Sequence, residues 1–177
     1  MRAAALACLL AALPALAGSS TPPPAKSSRL VEVLQCDLTL NVADPDPKGL
    51  NVRASPGKPA GRVLARLVPT GEWIELHVTG QSGDWLRIDH AASIDDEALD
   101  GMSEVFRGNG WVHVSGVGIS ELSTGEGTVL RAAPDDGAAL VRKVTPDTEP
   151  KHTRVIGCRG NWLQVEADGV PAWTRSF

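Results

Sequence analysis

The chain has 177 residues, 42% apolar and 21% charged, which gives room for one large or two small globular domains and argues against wholesale disorder. A formal charge of −4 removes the basic field that a phosphate backbone requires, so nucleic acid is not expected as a partner. The aromatics are five Trp and two Phe with no Tyr, whereas 18 Gly and 13 Pro punctuate the chain with turns, a balance that favours short strands over long helices.

The first segment reads as an address. Arg2 precedes the apolar run Ala3 to Leu13, then Pro14, then Ala15-Leu16-Ala17 before Gly18. That is the layout of a secretory signal over residues 1–17, cleaved between Ala17 and Gly18. A lipidated Cys8 is the rival; Leu6 stands one place off the usual lipobox, and Leu9 to Ala17 would be stranded in the product. No later stretch approaches the ~18 consecutive apolar residues of a membrane helix, so the expectation is an exported protein without a membrane span, periplasmic or secreted. Residues 18–29, rich in Ser and Pro, lack apolar periodicity and read as a flexible tether.

An internal repeat organises the remainder of the chain. Val52-Arg53-Ala54-Ser55-Pro56 recurs as Leu130-Arg131-Ala132-Ala133-Pro134, and the stretch Val78 to Leu86, containing Gly83-Asp84-Trp85, recurs as Val155 to Leu163, containing Gly160-Asn161-Trp162. Two segments in the same order at nearly constant spacing indicate two copies of one small domain, residues 30–115 and 116–177. Ile74, Leu76 and Val78 share one face of a strand and Trp73, Glu75 and His77 the other; Leu86 and Ile88 oppose Trp85 and Arg87 in the next. Several short strands in so short a chain are expected to roll into a small barrel, since a flat sheet would leave edges and half a face uncovered.

These residues resemble the bacterial SH3 (SH3b) domain family. Leu50-Asn51-Val52-Arg53 with Pro56 looks like its "LNVRxxP" motif, Gly83-Asp84-Trp85-Leu86-Arg87-Ile88 like its "G-x-W-x-x-V" strand, and Gly110-Trp111-Val112 like its closing "GWV". The second copy keeps Arg131, Pro134, Gly160 and Trp162 but has Val129 for Asn51 and Ala172-Trp173 for Gly110-Trp111. The fold class expected is therefore all-β: two tandem small SH3-like barrels.

Between Ile88 and Gly110 the first copy carries an insertion in which Ile94, Ala98, Leu99, Met102, Val105 and Phe106 fall at helical spacing, with Ser93 as N-cap. This predicts a short helix over about 93–107. Asp95, Asp96, Glu97, Asp100 and Glu104 would form its other face, either a solvated surface or a docking site for a cationic partner.

If the aliphatic faces form the cores, Trp73, Trp85 and Trp111 point away from them, and Trp162 and Trp173 do so in the second copy. Such rings need either cover, from the insertion or the other domain, or a ligand. The resemblance implies a shallow peptide groove beside Trp85 and, as ligand, cell-wall peptide or glycopeptide. An envelope protein is the alternative partner, the chain then being a modulator of an envelope enzyme. Arg53 and Arg131 read as structural, each pairing with a nearby acid or carbonyl.

Cleavage leaves two cysteines, Cys36 and Cys158, in a compartment that permits a disulfide. They can pair with each other, remain separate buried thiols, or bridge two molecules. A cysteine peptidase is the least favoured function: Cys158 falls in a Gly-rich turn rather than at a helix N-terminus, and no catalytic motif accompanies it. His77 and His113 share the outward face and are the one pair that a metal would use; the histidines otherwise show no ligand spacing. Neither metal nor other cofactor is expected, and the chain reads as non-enzymatic.

Overall fold

A computed structural model describes residues 33–57, 59–69, 73–95, 101–120, 122 and 127–177. The 1–17 signal, its Ala17/Gly18 cleavage point and the 18–29 tether lie outside the described residues. Among the described residues twelve strands succeed one another: β1 (Leu34–Val42), β2 (Leu50–Arg53), β3 (Val63–Leu67), β4 (Trp73–Ser82), β5 (Trp85–Ile94), β6 (Met102–His113), β7 (Val117–Gly118), β8 (Thr128–Arg131), β9 (Leu140–Val144), β10 (Thr153–Arg159), β11 (Trp162–Ala167) and β12 (Val170–Thr174). Helical structure among the described residues is confined to two 3-10 turns, Val114–Gly116 and Pro146–Thr148.

The strands make two sheets, and their order exposes the duplication. The first runs β3-β2-β6-β5-β4-β1-β7 and the second β10-β11-β12-β8-β9. Read from the β9 end, the second reproduces the β3-β2-β6-β5-β4 portion of the first, strand for strand. Even the register recurs: Arg53 stands opposite Trp111 and Arg131 opposite Trp173. Two tandem all-β domains with one topology are thus present, the first enlarged by β1 and β7.

Alternation explains why these segments are strands. In β4 the buried positions are Ile74, Leu76, Val78 and Gly80, separated by half-buried ones, and β11 repeats the pattern with Leu163, Val165 and Ala167. A period of two gives each strand one apolar face, and burying each Leu or Ile on it contributes about 1.5–3 kcal/mol. The resulting apolar cluster is continuous through both sheets, from Leu40, Leu76 and Ile88 to Leu130, Leu163 and Val165. The residue immediately before β2 and before β8 is a glycine in the left-handed region, Gly49 (φ 81°) and Gly127 (φ 86°). A side chain at Gly49 would lie 2.3 Å from the Leu67 carbonyl oxygen, and one at Gly127 2.9 Å from that of Val144. Only glycine meets both demands, the positive φ and the close approach.

The helix expected over 93–107 is not formed in the described part of that stretch. Ser93 and Ile94 end β5, Met102 begins β6, and Ile94 faces Met102 across an antiparallel ladder that continues through Ala91 and Phe106. Residues 96–100 lie outside the described residues. The apolar spacing that suggests one helical stripe is divided: Ile94 is buried, whereas Met102 and Val105 are exposed. Non-local pairing decides the matter, because β4 runs on to Trp73 and offers Ser93 and Ile94 cross-strand partners, and sheet context overrides a weak local preference. Gly101, at φ 57°, adopts a backbone that no right-handed helix contains.

Val31–Phe177 is one compact unit, and the contacts that join its sheets are specific. Cys36 and Cys158 form a disulfide with Cα atoms 5.8 Å apart. Beside it the Asp37 amide donates to the Gly160 carbonyl at 2.8 Å, and the Gly160 amide to that of Gln35 at 2.7 Å. Gln81 completes the seam: its Oε1 accepts from the Cys158 amide at 2.7 Å while its Nε2 donates to the Ile156 carbonyl at 3.3 Å. Of the three fates open to the cysteines, an intramolecular bond is the one observed.

Candidate functional site

All five tryptophans occupy half-buried positions that alternate with buried aliphatic ones, so each indole stands on the face away from the core. They do not form one continuous surface. Trp73 pairs with Ile94 at one end of the β4–β5 ladder and Trp85 with Ser82 at the other. Ten residues of β4, at about 3.3 Å each, separate those ends by roughly 30 Å. Trp85 and Trp111 share a neighbourhood: across the β5–β6 ladder Trp85 faces His113, and Arg87 faces Trp111.

The Trp85 end is concave. A cleft of about 390 Å³ is lined by Trp85, His113, Ser82, Gly83, Asp84, Pro56 and Gly57. The indole meets the His113 ring edge to face, centroids 5.3 Å apart and planes at 89°, which holds the ring in place. His113 is fixed in turn by Ser115, whose amide donates to Nδ1 at 3.3 Å and whose hydroxyl lies 2.8 Å from the same nitrogen. Among the described residues the Asp84 carboxylate makes no hydrogen bond or ion pair, although its carbonyl accepts from the Val114 amide. The cleft therefore offers an aromatic wall and an uncommitted anion.

Its other wall is shaped by Arg53. The guanidinium donates through Nη1 to the Gly61 carbonyl at 3.1 Å, and the Ala54 amide to the Arg62 carbonyl at 2.9 Å, closing the loop that carries Pro56 and Gly57. The second copy repeats the device, with Arg131 Nη1 donating to the Ala138 carbonyl at 2.9 Å. Both arginines are thus structural, as their place in the turn implies.

The second copy's equivalent of the cleft is furnished differently. Trp162 occupies the place of Trp85, and Arg175 stands where His113 does, its guanidinium carbon 4.8 Å from the centre of the Trp162 ring. The same guanidinium reaches the loop after β8, with Nη2 2.5 Å from an Asp136 carboxylate oxygen. Trp173 lies beside it on the outward face, opposite Gln164.

The histidines do not assemble a metal centre. His77 is held by two carboxylates, Nδ1 2.7 Å from Asp89 and Nε2 3.1 Å from Asp37, while His113 belongs to the Trp85 cleft. Among the described residues no group of three or more His, Cys, Asp or Glu side chains is arranged to hold a metal ion. Hydrogen bonds from His77 to Asp37 and then Asp89 raise its pKa above the ordinary 6.5. A raised folded-state pKa adds stability that is complete below the unfolded value and is lost as pH rises through the folded one. The stability advantage of the native chain over His77→Gln should accordingly be greatest below about pH 6.5 and shrink above it, as urea titrations from about pH 5 to about pH 9 would show. An advantage that grows with pH would contradict this pairing.

Cys158, bonded to Cys36, has no free thiolate to act as a nucleophile. A depression of about 440 Å³ lies between β7 and β10 and is lined by Val117, Ile119, Leu122, Pro150 and Arg154 among others. No tryptophan lines it, and its Arg154 is paired with Glu166.

Neither curated proteins nor solved structures yield a match to the chain. A family model described as "Bacterial SH3 domain" matches residues 124–176, a span that contains all five strands of the second sheet. The match falls on the copy with the compact spacing; in the first, the β5–β6 extension separates Ile88 from Gly110. The match to the bacterial SH3 domain family thus falls on the second of two tandem all-β domains with a common strand order.

Proposed function

We propose that the protein is an exported, non-catalytic binding protein made of two SH3-like barrels, which holds cell-wall peptide or glycopeptide in the Trp85 cleft. The observation that carries this reading is the cleft itself: an indole on the outward face, braced by His113, beside an Asp84 carboxylate with no protein partner among the described residues. Aromatic walls with a few fixed polar groups are the usual make-up of a ligand site. Trp111 extends the surface along β6, and Trp73, Trp162 and Trp173 would serve further contacts away from the cleft. The bacterial SH3 match supports a binding role rather than an enzymatic one. The disulfide supports export, since such bonds persist in oxidising compartments. Among the described residues no helix is long and apolar enough to cross a membrane.

Co-sedimentation with purified sacculi tests the reading. The native protein should pellet with them, and Trp85→Ala, checked for folding, should remain in the supernatant. Failure to pellet at any salt concentration would remove the wall as ligand and leave an envelope protein as the partner to seek.

A further inference from the structure

We propose that the depression between β7 and β10 is a docking slot for an extended segment of a partner protein, one in which an aliphatic residue is followed by a lysine or arginine. The slot shares no lining residue with the Trp85 cleft and does not rest on the wall binding proposed there.

Two sheet edges border this place. β7 ends the first sheet and β10 ends the second, and an end strand presents a row of backbone N–H and C=O groups to any chain that can lie alongside it. Half of the β10 edge is already taken: Gln81 holds the Ile156 carbonyl and the Cys158 amide, and the disulfide fixes Cys158 itself. Among the described residues no strand pairs with the outer edge of the other half, Thr153 to Val155, and those three residues line the depression. Its volume of about 440 Å³ is of the size that ligand sites have, and addition of a strand to an open edge is a general mode of peptide recognition. β7 is one of the two strands that the second repeat lacks, so the slot occurs once in the chain and is a product of joining the repeats, not a feature of either.

The lining says what the segment carries. Val117, Leu122, Pro150 and Val155 are buried and Ile119 half-buried around the slot, an apolar floor that suits an aliphatic side chain. The lining holds two charged residues. Glu149 is exposed, and among the described residues its carboxylate makes no hydrogen bond or ion pair. Arg154 is committed to Glu166 through hydrogen bonds of 2.8 and 2.9 Å. One negative charge is therefore left uncompensated, and a lysine or arginine meets it. Side chains alternate along a strand, so the aliphatic residue faces the floor while its cationic neighbour turns outward toward Glu149.

The probe is the peptide acetyl-Thr-Val-Lys-Val-Thr-amide, titrated into the full chain and followed by backbone amide resonances in NMR. The amides of Gly118, Thr153, Arg154 and Val155 should move saturably and exchange more slowly with solvent, while the Trp85 indole resonance stays in place. Glu149→Lys changes an exposed residue and leaves the core intact; it should weaken binding about three- to tenfold, the effect of replacing an exposed attraction by a repulsion. Acetyl-Thr-Pro-Lys-Pro-Thr-amide has the same charge but lacks two of the amide donors that strand pairing uses, and it should not bind. No saturation with the valine peptide, equal binding of the proline peptide, or an unchanged affinity in Glu149→Lys would overturn the proposal. Movement of the same amides on dilution of the protein alone would seat a second copy in the slot, and movement on deletion of residues 18–32 would seat the chain's own segment there; either result overturns it as well. Pelleting on sacculi reads the Trp85 cleft and is unaffected by these outcomes, so the wall-binding reading stands or falls separately.

Discussion

Replacing Cys36 and Cys158 together by alanine should lower the free energy of unfolding by about 4–5 kcal/mol, the chain-entropy value for so long a loop. The bond closes 122 residues of sequence, and most of the folded chain lies inside that loop. Its effect should be large relative to the whole, because each repeat buries a core of modest size and a domain of about 60 residues is marginal alone. The hydrogen bonds of Asp37, Gly160 and Gln81 across the same seam survive the substitution but are each worth only about 0.5–1.5 kcal/mol. Urea unfolding would measure the loss. A further consequence is that the single transition expected of the native chain should broaden or divide as the repeats unfold with less mutual support. A change below about 1 kcal/mol would mean that the seam, and not the covalent bond, holds the repeats together.

Much of this architecture is legible from period and repetition alone. Alternation places Ile74, Leu76, Val78, Leu86 and Ile88 inside and the tryptophans outside, because a strand's two faces are fixed by local geometry once the strand is recognised. The repeated Arg53 and Arg131 carry equal structural duties for the same reason: both act within a few residues of themselves. The 93–107 segment is where local pattern misleads. Its apolar residues fall at helical spacing, yet Ser93 and Ile94 are drawn into strand pairing by β4, some 20 residues away, whose partners no local pattern reveals. The paired glycines Gly49 and Gly127 are a signal within reach, since each precedes the repeated strand at the same offset.

The candidate site is less legible than the fold. Trp85 can be named from its motif, but its cleft requires the loop of Pro56 and Gly57 and the ring of His113, which meet it only through β2–β6 and β5–β6 pairing. Trp73 shares the predicted face yet lies at the far end of its strand, a distance that sequence alternation does not measure. Arg175 gives no local signal at all: nothing in a lone arginine near the chain end announces an indole and a carboxylate on either side of it. Side chains that meet across strands remain hidden until the register is known.

Neighbouring residues in β5 should separate stability from recognition. Leu86→Ala removes a fully buried side chain and should cost about 2–5 kcal/mol, the lost transfer energy plus the cavity left in a core that relaxes only in part. Trp85, one position away, points to the opposite face and gives up chiefly its edge contact with His113, worth about 0.5–1.5 kcal/mol beyond its area. Thermal or urea unfolding should thus rank Leu86→Ala well below Trp85→Ala in stability, whereas binding to sacculi should fall only in Trp85→Ala under conditions where both remain folded. The reverse order, with Trp85→Ala the more damaging to stability, would make this indole a structural element of the first repeat and deprive the cleft of its recognition surface. The two substitutions differ by a single step along the strand, so period-two geometry is itself what they test.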